Sequence, residues 1–153
     1  GLGDVYKRQT VIIDYSHTPD SLENILRAVR GFCTGRIIAV FGCGGDRDPF
    51  KRPVMGKIAA ELSDLAIVTS DNPRTEDPYK ILRQILAGMQ DTETPYEVIE
   101  SRVSAIGRAM ELAQKDDVIV LCGKGHETYQ EIGHEKHHLD EREVVASYLE
   151  ANA

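Results

Sequence analysis

Five short apolar runs, each separated from the next by a polar loop and an amphipathic stretch, constrain this chain more than any other feature. Thr10–Tyr15 carries Val11, Ile12 and Ile13 in a row. Arg36–Phe41, Leu65–Thr69 and Asp117–Leu121 are as apolar, and Glu97–Ile99 is weaker. Continuous rather than alternating apolar residues mark strands covered on both faces, as in a parallel sheet. The stretches between them have helical spacing. Leu22, Ile25, Leu26 and Val29 fall on one face behind Thr18-Pro19, an N-cap followed by proline in the first helical position, and Gly31 is a stop. A second helix over Arg52–Leu62 is expected to turn Val54, Met55, Ile58 and Leu62 inward. A third opens at Asp77-Pro78 with Ile81, Leu82, Ile85 and Leu86. A fourth, capped by Ser101, is expected to bury Val103, Ile106, Met110 and Ala113. Asp140 and Glu143 are expected to form a capping box for a last helix bearing Val144, Val145, Tyr148 and Leu149, and one more short strand is expected within Tyr129–His138. This alternation means an α/β fold: a mostly parallel sheet of five to six strands with helices on both faces. At 153 residues the chain is one domain. Gly1–Gln9 has no clean period and runs straight into the first strand. The domain is therefore read as residues 10–153, and residues 1–9 as a leader that is non-native or artefactual.

The polar motifs fall where such a sheet binds ligands. Asp14-Tyr15-Ser16-His17-Thr18, Gly42–Asp48, Ser70–Arg74 and Gly123–Glu127 each follow the C-terminal end of a predicted strand, and in an open parallel sheet those ends line one crevice. Pro73 cannot donate to a ladder and disfavours a helical Asn72, so the chain leaves the third strand abruptly. That exit presents the carboxylate of Asp71, the amide of Asn72 and the guanidinium of Arg74 side by side. Arg47, Arg74, Asp71 and Glu127 make a mixed-charge set, unsuited to a polyanion alone and suited to a zwitterion. An arginine forks onto a carboxylate, and carboxylates accept from an ammonium. For each residue taken alone a surface salt bridge is the competing account. At Gly42, Gly44 and Gly45 a tight turn competes with anion binding.

Other classes fit less well. Neither Gly42–Asp48 nor Gly123–Glu127 has the spacing of a dinucleotide fingerprint or a Walker A loop, which disfavours a dehydrogenase and a self-contained NTPase. A formal net charge of −7 with no Lys/Arg run argues against nucleic acid, and no apolar stretch is long enough to span a bilayer. Cys33, Cys43 and Cys122 lack C-x-x-C spacing and suit free thiols in a reducing cytoplasm; no signal peptide is visible. Cys43 and Cys122 adjoin glycine loops, where reactivity competes with plain burial. His126, His134, His137 and His138 match no zinc spacing, so no metal site is expected.

Together the four loop motifs resemble the C-terminal domain of a Mur ligase of the type that adds meso-diaminopimelate, and the likeness runs from Thr10 to Leu149. The resemblance implies a Rossmann-like sheet in a cytoplasmic, ATP- and magnesium-dependent ligase of peptidoglycan synthesis. In such ligases the carboxylate of UDP-MurNAc-L-Ala-D-Glu becomes an acyl phosphate. The amine of the incoming amino acid attacks it, giving an amide, ADP and phosphate. The resemblance further implies that Arg47, Asp71, Asn72, Pro73, Arg74, Gly123 and Glu127 bind meso-diaminopimelate, and that Asp14, His17 and Thr18 approach the nucleotide. No catalytic residue is expected in this stretch. The P-loop, the groups that hold magnesium and the UDP-sugar site would belong to the central and N-terminal domains of a parent chain. The isolated chain is expected to fold alone, bind amino acid weakly and catalyse nothing. Two other readings stay open. One is a ligase of the same family adding L-lysine, against which Arg74 argues because lysine lacks the far carboxylate. The other is a non-catalytic amino-acid- or nucleotide-binding module.

Overall fold

The computed structural model describes residues 2–4 and 9–152, so the reading of residues 1–9 as a leader lies mostly outside it. The strands are β1 (Leu2–Asp4), β2 (Gln9–Asp14), β3 (Ile37–Phe41), β4 (Leu65–Val68), β5 (Tyr96–Val98) and β6 (Val118–Cys122). They form one sheet in the order β1-β2-β6-β3-β4-β5. β2 to β6 run parallel, and β1 adds an antiparallel edge to β2. Every residue of β3, β4 and β6 is buried, which is why their sequences show no alternation.

The pleat nevertheless sorts these residues between two cores. Ile37, Ala39, Phe41, Val118 and Val120 meet the helices α1 (Pro19–Arg30), α2 (Lys51–Leu62) and α3 (Pro78–Ala87) on one face. Ile38, Val40, Ile119 and Leu121 meet α4 (Arg102–Leu112) and α5 (Glu141–Ala151) on the other. The chain steps outward from β3 to β5 through α2 and α3, then returns across the opposite face through α4 to place β6 between β2 and β3. That reversal opens a crevice at the carboxyl ends of the central strands. No helix is long and apolar enough to cross a membrane among the described residues.

Several local expectations hold. Thr18 caps α1 and forms its capping box with Ser21, Asp77 caps α3 and Ser101 caps α4. Others are corrected. Val54 and Val103, expected inside, are 47% and 51% exposed. The buried rows are Arg52, Met55, Gly56, Ala59 and Ala60 in α2, and Arg102, Ala105, Ile106, Ala109 and Met110 in α4. In each helix an arginine of the first turn occupies the core-facing row, so a pattern drawn from apolar residues alone rotates the helix wrongly. Asp140 caps α5 through the Arg142 amide (3.0 Å), but the Glu143 carboxylate lies on His138 Nε2 (2.8 Å) instead of closing the box. Tyr129–His138 holds two strands rather than one, β7 (Tyr129–Ile132) and β8 (Glu135–His138), paired as a hairpin apart from the main sheet and turning at Gly133, whose φ is 62°.

Candidate functional site

The four loops converge on a cleft of about 380 Å³ at the carboxyl edge of the sheet. His17, Thr18, Arg47, Asp71, Asn72, Arg74, Gly123 and Glu127 all line it. Asp14 and Pro73 do not. They act through backbone: the Asp14 carbonyl accepts from Gly123 N–H (3.0 Å), and the Pro73 carbonyl lies against Gly45 so closely that a β-carbon there would collide with it. The Thr18 hydroxyl is occupied with the α1 cap, while the His17 ring stands at the lip beside the exposed ring of Tyr15, their centroids 4.6 Å apart.

The loop after β4 is held on both sides. Gly45 N–H donates to the Asn72 carbonyl (2.7 Å) from the glycine loop. From the other side the hairpin clamps it: Gln130 Nε2 donates to the Asp71 carbonyl (2.7 Å), Glu131 N–H to Asn72 Oδ1 (2.9 Å), Arg74 N–H to the Glu131 carbonyl (3.0 Å), and Gly133 N–H to the Arg74 carbonyl (2.7 Å). These bonds hold Arg74 at φ 52°, a left-handed conformation that costs a β-carbon-bearing residue roughly 1 kcal/mol and marks a site where surrounding structure dictates the backbone. The Arg74 side chain is also fixed. Its Nε donates to Glu131 Oε2 (3.1 Å) and its Nη1 to the Gly45 carbonyl (3.0 Å), which leaves Nη2 without a hydrogen-bond partner among the described residues. Gly123, at φ 120°, has the Asp71 carboxylate where a β-carbon would sit, so only glycine lets that carboxylate approach.

Three buried cations support these loops, none of them among the residues expected to bind a ligand. Arg52, 1% exposed, grips both oxygens of Glu76 (3.0 and 2.7 Å), Gln84 Oε1 (2.6 Å) and the Gly44 carbonyl (2.9 Å). Arg102 donates to the carbonyls of Ser70 (3.1 Å) and Cys122 (2.9 Å) and pairs with Glu141 at 2.8 Å, both side chains fully buried. Burial disfavours the Arg102 charge, but Glu141 and then Asp71 more than offset that, and its pKa rises. Lys124, fully buried, reaches Asn72 Oδ1 (2.7 Å), Glu127 Oε1 (3.1 Å) and Asp71 Oδ1 (3.8 Å). A lysine between two glycines just after a buried strand was the available signal for the last of these.

Two thiols near the cleft are not nucleophiles. Burial pushes the Cys43 thiol up to about 12, with Asp71 adding to it, and burial likewise pushes Cys122 up to about 12. Both stay protonated at neutral pH, so burial rather than reactivity accounts for them. Glu76 shifts the other way, down to about 2, chiefly through its hydrogen bonds from Arg52. A depressed carboxylate stabilises the fold above its unfolded pKa and stops doing so as pH falls through its folded one. The Arg52–Glu76 contribution should therefore be complete above pH ~5 and vanish between pH ~4.5 and ~2, a loss of up to about 3 kcal/mol. Thermal melts of wild type and Glu76→Gln check this. The variant is expected to melt lower at pH 7, with the gap closing towards pH 2; a constant gap would mean that Glu76 contributes no pH-linked stability.

The cleft is thus lined by both signs of charge: Arg47, Lys51 and Arg74 with Asp48, Asp71 and Glu127. Among the described residues no three His, Cys, Asp or Glu side chains converge as a metal shell. An open α/β sheet with such a cleft at its carboxyl edge defines a class of protein that holds a small polar ligand by ion pairs and hydrogen bonds. Residues 3–125 match the family described as Mur ligase, glutamate ligase domain, and the chain belongs to that family. It is 56% identical over 140 residues to the UDP-N-acetylmuramoyl-L-alanyl-D-glutamate--2,6-diaminopimelate ligase of Clostridioides difficile (strain 630), covering 92% of this chain and 29% of that protein. It is 65% identical over 140 residues to the protein of the same name from Trichormus variabilis (strain ATCC 29413 / PCC 7937), covering 92% and 28%. A solved structure of a ligase of that name superposes with a TM-score of 0.91 at 41% identity, over 94% of this chain and 30% of that one. The chain therefore spans less than a third of the length of these relatives.

Proposed function

We propose that residues 10–153 are the C-terminal, amino-acid-recognising domain of an ATP-dependent ligase that adds meso-diaminopimelate to UDP-MurNAc-L-Ala-D-Glu in the cytoplasm. The observation that carries this is the opposition, in one cleft, of Arg74 to Asp71 and Glu127. Meso-diaminopimelate has two amino-acid ends. One amine must stay free to attack, so the far end has to be held by its own carboxylate and ammonium. Arg74 offers Nη2 to that carboxylate, and Asp71 and Glu127 accept from that ammonium. Arg47, exposed at the mouth, is placed to meet the carboxylate beside the reacting amine. Asn72 has a narrower part than its side chain alone suggests, because its oxygen is already shared by Lys124 and the Glu131 amide.

ATP and magnesium enter this reading as the groups that activate the acceptor carboxylate, held mainly by domains of the parent chain outside these residues. The exposed rings of Tyr15 and His17 at the lip are the groups this chain would turn towards a nucleotide, with Thr18 and Asp14 shaping the turn behind them. The names of the relatives support the choice of amino acid.

Titrating this chain with meso-diaminopimelate and with L-lysine, followed by backbone amide shifts, tests the reading. Shifts at Arg47, Asp71–Arg74 and Gly123–Glu127 with diaminopimelate alone are expected. An equal response to both amino acids would sink the assignment of the far carboxylate to Arg74, and shifts elsewhere would sink the cleft as the site.

A further inference from the structure

Each buried or half-buried cation around the cleft pairs with a carboxylate, and one of them pairs with two. Arg52 is matched by Glu76, Arg74 by Glu131 and Arg102 by Glu141. Lys124 alone faces two carboxylates, Asp71 at 3.8 Å and Glu127 at 3.1 Å. Its ammonium is fully buried, donates at 2.7 Å to Asn72 Oδ1, and lies 5.5 Å from the centroid of the Tyr129 ring. Its hydrogen bond goes to Asn72 and it does not line the cleft, which leaves it poorly placed to meet a ligand. The two carboxylates do reach the cleft.

We infer that Lys124 is a positioning residue that sets the charge of the cleft floor, gathering Asp71, Asn72 and Glu127 and leaving them one unbalanced negative charge for a single ligand ammonium. This rests on the amino-acid reading above and extends it to a residue outside the expected binding set. Without Lys124, Asp71 and Glu127 would face each other as two uncompensated carboxylates at a largely buried site, an arrangement that repels itself and attracts cations indiscriminately. With it, the floor neutralises one ammonium and no more. Lys124 also fixes which way the Asn72 amide points, because Asn72 Oδ1 accepts from both Nζ and the Glu131 N–H. The same ammonium therefore ties the loop after β6 to the loop after β4 and, through Asn72, to the hairpin.

The test compares wild type, Lys124→Met and the double variant Lys124→Met/Glu127→Gln. The probes are meso-diaminopimelate and 1,5-diaminopentane, a diamine without carboxylates. Lys124→Met is expected to weaken diaminopimelate by about tenfold or more through misplaced partners, while tightening the bare diamine by about threefold or more. A role confined to packing would weaken both ligands together or neither, and either result overturns the proposal. The double variant returns the floor to one negative charge. It is expected to fold at least as well as the single one and to lose the gain in diamine binding; a double variant less stable than Lys124→Met would count against the charge balance.

A ligand-free measurement separates this inference from the choice of ligand. Exchange of the Glu131 amide proton should be slow in wild type and faster by about tenfold or more in Lys124→Met, if the Asn72 oxygen is held in place by Nζ. Unchanged protection would overturn the positioning role. If wild type bound neither probe, the amino-acid reading would fail while the exchange result still judged Lys124. If Lys124→Met did not fold, the wild-type ammonium proton signal of Lys124 would decide: slow exchange supports the buried contact with Asn72, and fast exchange refutes it.

Discussion

Replacing Arg102 with methionine is expected to destabilise the chain by about 3–5 kcal/mol, a large part of the 5–15 kcal/mol that holds a typical domain together. The expectation comes from what the guanidinium leaves behind. Glu141 is fully buried, its Oε2 accepts from Arg102 Nε at 2.8 Å, and its Oε1 has no hydrogen-bond partner among the described residues. Removing the arginine strands that carboxylate. It also strands the carbonyls of Ser70 and Cys122, which immediately precede Asp71 and Gly123. Arg102 thus sets the distance between the two loops that face each other across the cleft. Urea unfolding of Arg102→Met and of Arg102→Met/Glu141→Leu separates the two costs. The double variant is expected to recover more than half of the loss, because a buried ion pair exchanged whole for apolar groups is often neutral. If it recovers nothing, the carbonyl contacts rather than the ion pair carry the stability.

Arg102 also shows where the sequence stops being legible. The central strands were readable because both of their faces are covered, which leaves continuous apolar runs such as Ile37–Phe41. The helix starts at Thr18-Pro19, Asp77-Pro78 and Ser101 were readable because caps are local chemistry. The four loops were readable as one site because a parallel sheet brings the carboxyl ends of its strands together whatever their order. The insertion of β6 between β2 and β3 was not readable, since no local pattern encodes which strands pair. The buried arginines were not readable for a related reason. Arg52 and Arg102 are core residues only because Glu76 and Glu141 come from elsewhere in the chain to neutralise them. Charge on a helix ordinarily marks its wet face, so the sequence pattern points Val54 and Val103 inward in their place. The hairpin was half read: its second strand, Glu135–His138, is exposed throughout and carries no apolar residue to announce it. Yet the hairpin is what clamps Asp71–Arg74, so the shape of this wall of the cleft depends on a segment with almost no signal of its own.

Arg74→Ala is expected to weaken binding of meso-diaminopimelate by about 2–5 kcal/mol while changing that of L-lysine by no more than about threefold. The reasoning turns on what else the substitution disturbs. Both side chains carry a β-carbon at φ 52°, so the left-handed strain is the same before and after, and the backbone bonds to Glu131 and Gly133 do not involve the side chain. Glu131 loses its partner, but its side chain is 27% exposed and can take up water. The fold should therefore survive, leaving the ligand's far carboxylate as the group that loses most. In wild type, lysine would leave Nη2 of Arg74 unpaired beside the buried floor, and sites built on such a contact can discriminate by up to roughly 10⁴-fold. In Arg74→Ala that discrimination should largely disappear, by loss of the better ligand rather than gain of the worse. Arg74→Lys should fall between, because an ammonium keeps the charge but cannot hold Glu131, the Gly45 carbonyl and a carboxylate in one plane. Calorimetric titration of the three proteins with both amino acids measures this. Retained preference for diaminopimelate in Arg74→Ala would move the recognition of its far carboxylate to Arg47 or Lys51, the other cations lining the cleft mouth.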